Sequence, residues 1–173
     1  MRRVLHTQPD DLSRDPTFRR NVGSIHRHRL TFDLCVLAKQ LTFGIDLVRA
    51  CPETSFVLDH CGVPEVKGHA LDPWRAHIEL LAKTPNVVAC KISGLVAYAS
   101  AGDCGPDALR PFVTHVVEQF GPDRVLFGSD WPVCTLSCSY GTWAQTALEL
   151  TSGWTLENRQ KFFARNAERV YRV

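Results

Sequence analysis

Five short, continuously apolar segments recur along this chain, and they constrain its fold more than any other feature of the sequence. Each segment is rich in β-branched residues or phenylalanine, and successive segments start 25–37 residues apart. They are residues 3–7, 30–36, 55–60, 87–93 and 124–129. Continuously apolar strands are typical of a parallel sheet that is covered on both faces, and this spacing is the length of a βα unit. The pattern therefore predicts an α/β fold.

The stretches between and after these segments have helical periodicity. Apolar residues three and four positions apart predict helices around residues 18–26, 74–82 and 112–120, and two further helices at 141–150 and 156–170. Proline at positions 73 and 106 marks two helix starts, and Gly121-Pro122 marks a helix end. No linker or repeat interrupts this order, so we expect one domain over residues 1–173.

Five βα units are compatible with two architectures. An open doubly wound sheet needs only about five strands, whereas a (β/α)₈ barrel needs eight units and about 250 residues. In both architectures the chemistry lies at the carboxyl ends of the parallel strands, so the polar residues at those ends do not decide between them.

Composition excludes several classes of partner. Twenty Lys and Arg against 18 Asp and Glu give a net charge of +2, which predicts no binding to nucleic acid or to an anionic membrane. No apolar run approaches the roughly 20 residues that cross a bilayer. Seven cysteines without a CxxC pair are typical of free thiols, so we expect a cytoplasmic protein.

Two strand ends carry ionisable side chains that can do chemistry. His60 leaves the third apolar segment, where an imidazole can polarise a carbonyl, move a proton or bind a metal. Asp130 leaves the fifth, where a carboxylate can act as a general base toward water or as a metal ligand. The alternatives are a histidine hydrogen-bonded to a neighbouring strand and an aspartate that caps the next turn.

Two cationic residues lie within the apolar segments or beside them. Lys91 interrupts the fourth segment and can hold a substrate anion, pair with an acid or extend outward between helices. Arg2 precedes the first segment and can bind a carboxylate through two hydrogen bonds, or remain solvated.

Other motifs carry little functional weight. His26 and His28 have metal-ligand spacing, but they end a polar helix before a strand, so we expect a solvated helix end. Cys134 and Cys138 have no second pair at zinc-site spacing, and we expect buried or inert thiols. No phosphate-binding loop or nucleophile elbow is present in the sequence.

Five motifs in order resemble those of the amidohydrolase-related family, in its branch of L-fuconolactonases and 2-pyrone-4,6-dicarboxylate lactonases. They are FDLCV at 32–36, VLDHCGVP at 57–64, CKISGL at 90–95, VLFGSDWPVC at 125–134 and NAERVY at 166–171. The resemblance implies a (β/α)₈ barrel and hydrolysis of a lactone or a related C–O or C–N bond. It also implies that this chain carries about five βα units of that barrel and lacks the first three.

The resemblance implies roles for particular residues. Asp130 matches the last-strand aspartate that deprotonates the hydrolytic water or binds metal, and His60 matches the histidine that polarises the substrate carbonyl. Arg2 resembles an arginine that contacts a substrate carboxylate or hydroxyl. Lys91 and Trp131 fall at strand ends that line such a pocket, which implies substrate binding.

The chain departs from the family in lacking the HxH pair of the first strand. Family members work with or without a divalent metal, so the resemblance leaves zinc, manganese or no metal open, with Asp130 and His60 as the ligands if one is used. The leading hypothesis is a hydrolase that opens a sugar or dicarboxylate lactone. The alternatives are a non-catalytic open α/β binding module and an inactive fragment, and we expect self-association through the exposed edges of an incomplete barrel.

Overall fold

The five predicted strands form one parallel sheet in the computed structural model, which describes residues 1–100 and 103–173. The strands are β1 (Arg2–Val4), β2 (Thr31–Cys35), β3 (Ser55–Leu58), β4 (Val87–Ile92) and β5 (Val125–Phe127). Each overlaps one predicted apolar segment, and only β1 begins before its segment. The α/β class predicted from the sequence is therefore confirmed.

Helices connect the strands and follow the last of them. The α-helices are α1 (Pro16–Ser24), α2 (Leu41–Ala50), α3 (Trp74–Ala82), α4 (Pro106–Phe120), α5 (Tyr140–Leu150), α6 (Leu156–Gln160) and α7 (Asn166–Tyr171), and a π-helical turn, Lys161–Arg165, joins the last two. Short 3-10 helices lie at Asp10–Arg14, Ile25–His28, Ala38–Gln40, Asp59–Gly62, Val96–Tyr98 and Val133–Leu136. None of these helices combines the length and the apolar composition that crossing a bilayer requires.

The strand order separates the two architectures that the sequence left open. The order is β1-β2-β3-β4-β5, with every neighbouring pair parallel. A doubly wound sheet reverses its strand order at a switch point, and this sheet has no reversal. Because parallel crossovers are right-handed, a sequential order places all the connecting helices on one face. Accordingly, α1 contacts α2, α2 contacts α3, α3 contacts α4 and α4 contacts α5. The doubly wound alternative is therefore wrong.

The main core lies between the sheet and these helices. Phe56, Leu58, Cys90 and Ile92 alternate along β3 and β4 and are buried in it. The opposite face of the sheet has a smaller apolar cluster, Val57, Ala89, Leu126 and Val170, in which the last residue comes from α7. In a closed barrel this opposite face would be the interior.

The inner face also holds charged side chains. Asp33 is the register partner of both Arg2 and Val57, and Lys91 is the partner of Leu126. Side chains at paired positions of parallel strands point to the same side of a sheet. The fold thus directs these charges toward one volume at the carboxyl ends of the strands.

Candidate active site

His60 and Asp130 meet at the carboxyl ends of β3 and β5. The Nε2 atom of His60 lies 3.8 Å from Oδ1 of Asp130, although one strand, β4, lies between β3 and β5 and 70 residues of sequence separate the two side chains. Both residues have left-handed backbone, with φ of 52° and 51°. Such values are uncommon for residues other than glycine and concentrate at functional sites. The structure brings the two predicted catalytic residues together.

The imidazole of His60 is buried and held from its other side. Its Nδ1 lies 2.8 Å from the hydroxyl oxygen of Ser93, which follows β4. Gly94 passes close by with φ of +70°, and a Cβ there would lie 2.9 Å from Cβ and Cγ of His60. Burial lowers the pKa of His60, and this effect outweighs the nearby carboxylates of Asp59 and Asp130, which raise it. His60 is therefore neutral at pH 7.

The carboxylate of Asp130 is shifted in the opposite direction. Burial raises the pKa of Asp130 above its ordinary value, while the interaction with His60 opposes this change. A carboxylate with a raised pKa is a stronger base than an ordinary aspartate. A neutral imidazole beside a basic carboxylate can polarise a carbonyl and activate a water molecule.

A chain of ion pairs lies beneath this pair. The carboxylate of Asp59 has no exposed surface, and it contacts Nζ of Lys91 at 2.5 Å and Nη1 of Arg2 at 3.3 Å. Nζ of Lys91 also lies 3.7 Å from Asp33, whose carboxylate accepts a hydrogen bond of 2.5 Å from the hydroxyl of Tyr171. Burial disfavours the charged form of Lys91, but Asp59 and Asp33 outweigh it and raise the pKa of the ammonium group.

The remaining predicted site residues lie at the edge of this group. The side chain of Arg2 is 48% exposed, so part of its guanidinium faces solvent. Trp131, directly after Asp130, is 68% exposed. Both positions are accessible to a ligand, and neither places a side chain between His60 and Asp130.

Sequence reasoning did not select Asp59, Asp33, Ser93 or Tyr171. A signal was present for the two aspartates, because each is a single carboxylate in or directly after an apolar strand, and a buried carboxylate needs a partner. For Tyr171 no local signal exists, because 138 residues separate it from its partner Asp33.

The histidine pair and the cysteine pair for which the sequence predicted no functional role lie outside the site. His26 belongs to the short helix Ile25–His28, and its Nδ1 is 2.6 Å from the carbonyl oxygen of Gly23, so the predicted helix end is confirmed. Cys134 is buried, Cys138 is half-buried, and both are free thiols.

One group of three possible metal ligands occurs in the described ranges. The donor atoms of Cys35, Asp59 and His60 all lie within 4.8 Å of one another. This group does not fit a cation well, because Lys91 and Arg2 already occupy both carboxylate oxygens of Asp59. Burial, together with Asp59, also raises the pKa of the Cys35 thiol to about 11, which disfavours the thiolate that binds metal.

His60 and Asp130 fit a metal better. Their donor atoms, 3.8 Å apart, can both reach one ion at the usual ligand distances of about 2.0–2.2 Å. Catalytic zinc takes about three protein ligands, so this pair supplies part of such a set.

Comparison with known proteins agrees with this geometry. A family model described as an amidohydrolase matches residues 1–173. The chain belongs to the amidohydrolase family. An L-fucono-1,5-lactonase of Burkholderia ambifaria is 32% identical over 172 residues, which cover 95% of this chain and 57% of that protein. A 2-pyrone-4,6-dicarboxylate hydrolase of Comamonas testosteroni is 37% identical over 94 residues, covering 50% of this chain and 30% of that protein.

A solved structure of another family member shares the fold of this chain. An amidohydrolase from Burkholderia multivorans, crystallised with bound zinc, is 30% identical with a TM-score of 0.92, over 99% of this chain and 63% of that one. The agreement confirms the predicted fold, an α/β chain with five βα units of the (β/α)₈ barrel type. The chain thus spans roughly three fifths of the length of the lactonase and of the solved structure.

Proposed function

We propose that this amidohydrolase opens the ring of a lactone by attack of water, with Asp130 as the general base and His60 as the group that polarises the carbonyl. The observation that carries the proposal is the juxtaposition of a neutral, buried imidazole and a basic carboxylate at 3.8 Å. The names of the relatives support a lactone as the substrate.

Asp130 and His60 together account for each step of the proposed hydrolysis. Asp130 removes a proton from water, and the resulting hydroxide attacks the carbonyl carbon of the lactone. We assign the proton of neutral His60 to Nε2, with Nδ1 accepting from the Ser93 hydroxyl, so that Nε2–H donates to the carbonyl oxygen as negative charge develops there. When the intermediate collapses, the ring C–O bond breaks and Asp130 returns its proton to the leaving alkoxide, which produces a hydroxy acid.

The same two residues would hold a divalent ion such as zinc or manganese if one is used. A bound ion would lower the pKa of water and polarise the carbonyl. The part played by Asp130 in moving the proton is the same in either case.

Charge balance favours an uncharged substrate. The described residues of the site carry two cations, Arg2 and Lys91, and three carboxylates, Asp33, Asp59 and Asp130. The two cations already pair with the carboxylates, and only Arg2 presents much free donor surface. We therefore propose a sugar lactone, bound by Arg2 and Trp131 through its hydroxyl groups and ring, in preference to a dicarboxylate lactone.

The proposal includes the cellular compartment of the protein and the class of molecule that it binds. All seven cysteines are free thiols in the structure, which is consistent with a reducing cytoplasm. The net charge of +2 favours a small-molecule substrate over nucleic acid or an anionic membrane.

Titration of acid released from a panel of lactones tests this function. The panel would include six-carbon 1,4- and 1,5-sugar lactones and a pyrone dicarboxylate, each with and without added zinc or manganese. We expect turnover of a sugar lactone at a rate above that of the dicarboxylate. No turnover of any lactone would contradict the proposal and favour an inactive fragment, and a preference for the dicarboxylate would contradict the assignment of substrate class.

A further inference from the structure

We propose that Lys91 and Asp59 are positioning residues that hold His60 in place, and that Lys91 acts on the reaction without contacting the substrate. The inference rests on the proposed function only in taking His60 as the group that polarises the carbonyl. The position of the imidazole itself can be observed without turnover.

Asp59 is the residue directly before His60, and its carboxylate is a fixed anchor. An ionised carboxylate with no exposed surface is strongly disfavoured unless cations and hydrogen bonds satisfy it. Here Nζ of Lys91 is 2.5 Å from Oδ1 and Nη1 of Arg2 is 3.3 Å from Oδ2, so each oxygen has its own cation. Because Lys91 is the second-to-last residue of β4, the anchor joins the end of β3 to the end of the neighbouring strand.

The residues after Asp59 need such an anchor. His60, Cys61 and Val63 all have positive φ, at 52°, 53° and 47°, and this conformation is unfavourable for residues with a Cβ. A strained turn persists when its surroundings hold it on several sides. His60 lies directly between Asp59 and Cys61, so contacts that hold these two neighbours also fix the direction of the imidazole.

Lys91 holds the turn on both sides of His60. Its ammonium binds the carboxylate of Asp59, and its backbone carbonyl lies 3.6 Å from the thiol of Cys61, which is placed to donate a hydrogen bond to it. The carbonyl of Cys61 in turn accepts a hydrogen bond of 2.7 Å from the indole of Trp74. The backbone immediately before and after the imidazole is thereby tied to fixed elements.

The ammonium of Lys91 has little capacity left for a ligand. Its side chain is 20% exposed, and Nζ contacts Asp59 and, at 3.7 Å, Asp33. It also lies 5.5 Å from the ring centre of Tyr171, whose hydroxyl is bound to Asp33. These groups surround the cation with protein, whereas a substrate contact would need an open side.

Imidazole nitrogen spectra of the protein without substrate test this role. The chain would be labelled with ¹⁵N in its histidine rings, and the signals of His60 would be identified by their loss in His60→Gln. In Lys91→Met we expect the Nδ1 signal of His60 to move, because the ring leaves its hydrogen bond with Ser93. Lys91→Arg, which keeps the cation, should restore most of the original position.

Lys83→Met is the matched control. Nζ of Lys83 also lies 2.5 Å from a carboxylate, that of Glu79, but this pair is on the exposed face of α3. Its substitution should leave the His60 signals unchanged. If Lys91→Met does not fold because Asp59 loses its counter-charge, the double variant Asp59→Asn/Lys91→Met removes both charges together and should show the same displaced imidazole.

Steady-state kinetics gives a second test that distinguishes a positioning role of Lys91 from contact with the substrate. With a lactone that is turned over, Lys91→Met should lower kcat about 100-fold, the scale of a misplaced catalytic group, with little change in KM. A raised KM with unchanged kcat and unmoved His60 signals would overturn the proposal and make Lys91 a substrate ligand. Absence of lactone turnover by the wild-type chain would count against the proposed function alone, because the spectra would still decide the position of His60.

Discussion

At the scale of single residues, burial rather than charge pairing determines the direction in which the pKa values of His60 and Asp130 shift. His60 has two carboxylates nearby, Asp59 and Asp130, yet burial still lowers its pKa. Asp130 has cations nearby, yet burial still raises its pKa. Both shifts disfavour the charged forms and bring the two pKa values toward each other. The proposed reaction uses this pair as a neutral imidazole beside an ionised carboxylate.

The pH dependence of kcat/KM follows from these shifts. The proposed reaction requires neutral His60 and ionised Asp130, so lactone turnover should be lost as the pH falls. The pKa of His60 lies below its ordinary value of 6.5 and that of Asp130 lies above 3.8, so we expect the acid limb between these values. Rates measured from pH 4 to 8 on a sugar lactone would check this, and an acid limb centred above pH 6.5 would contradict it.

The proximity of His60 and Asp130 could be predicted from the sequence, because His60 ends the third apolar segment and Asp130 directly follows the fifth. The ion-pair chain could not be predicted in the same way. Lys91 is unusual within a strand, but its partner Asp33 lies on β2 and its partner Asp59 lies directly after β3, so only the folded structure shows that the three side chains meet. Long-range pairing of this kind leaves no local pattern in a sequence.

At the scale of secondary-structure elements, close backbone packing at the strand ends shapes the site. The turn after β4 brings Gly94 against the imidazole of His60, with φ of +70°. At the end of β5, a Cβ on Gly128 would lie 2.9 Å from Cβ of Ser93. Neither position has room for a side chain, so the backbone of these turns packs closely against the imidazole of His60 and against Ser93, its hydrogen-bond partner.

Substitution of Gly94 by alanine tests this packing. The new Cβ would clash with His60 and force an unfavourable backbone conformation, so we expect a loss of about 1–3 kcal/mol in the free energy of unfolding. Gly153→Ala is the control, because a Cβ there meets no atom within 4 Å, and its effect should stay within about 0.5 kcal/mol. Urea denaturation of both variants gives the comparison, and equal stabilities would contradict the account.

Helices with proline or glycine signals at their ends were predicted well, and one without them was not. α3 and α4 begin directly after Pro73 and Gly105, and α4 ends before Gly121, as the sequence indicates. α2 (Leu41–Ala50) was not among the predicted helices. Its start has no side-chain cap and no proline. Its buried residues, Leu41, Gly44, Ile45, Leu47 and Val48, do have helical spacing, so periodicity was the one signal in the sequence that could have predicted this helix.

At the scale of the whole molecule, the sheet has two open edges in the part of the chain that the structure describes. β1 pairs only with β2, and β5 pairs only with β4. Unpaired strand edges tend to join with other strands. A sequential parallel sheet closes into a barrel only when its first and last strands pair with each other. In this sheet β1 and β5 do not pair, so both of its edges are open.

We therefore expect self-association that grows with concentration. Light scattering should give a mean mass above the 19.4 kDa of one chain, rising as the protein is concentrated. Since Leu5 N–H donates to Cys35 of β2, the alternating N–H of Val4 points outward, and Val4→Pro should weaken association by removing that donor. A single species of 19.4 kDa at every concentration would contradict the prediction.

The central claim is that Asp130 activates water for attack on a lactone, and comparison of kcat/KM between wild type and Asp130→Asn tests it most directly. The control is Asp46→Asn, since the carboxylate of Asp46 lies on an exposed surface, where it pairs with Arg14. We predict that Asp130→Asn lowers kcat/KM by at least about 100-fold, the usual scale for a lost general base, while Asp46→Asn leaves it unchanged. Equal rates for Asp130→Asn and wild type would contradict the claim.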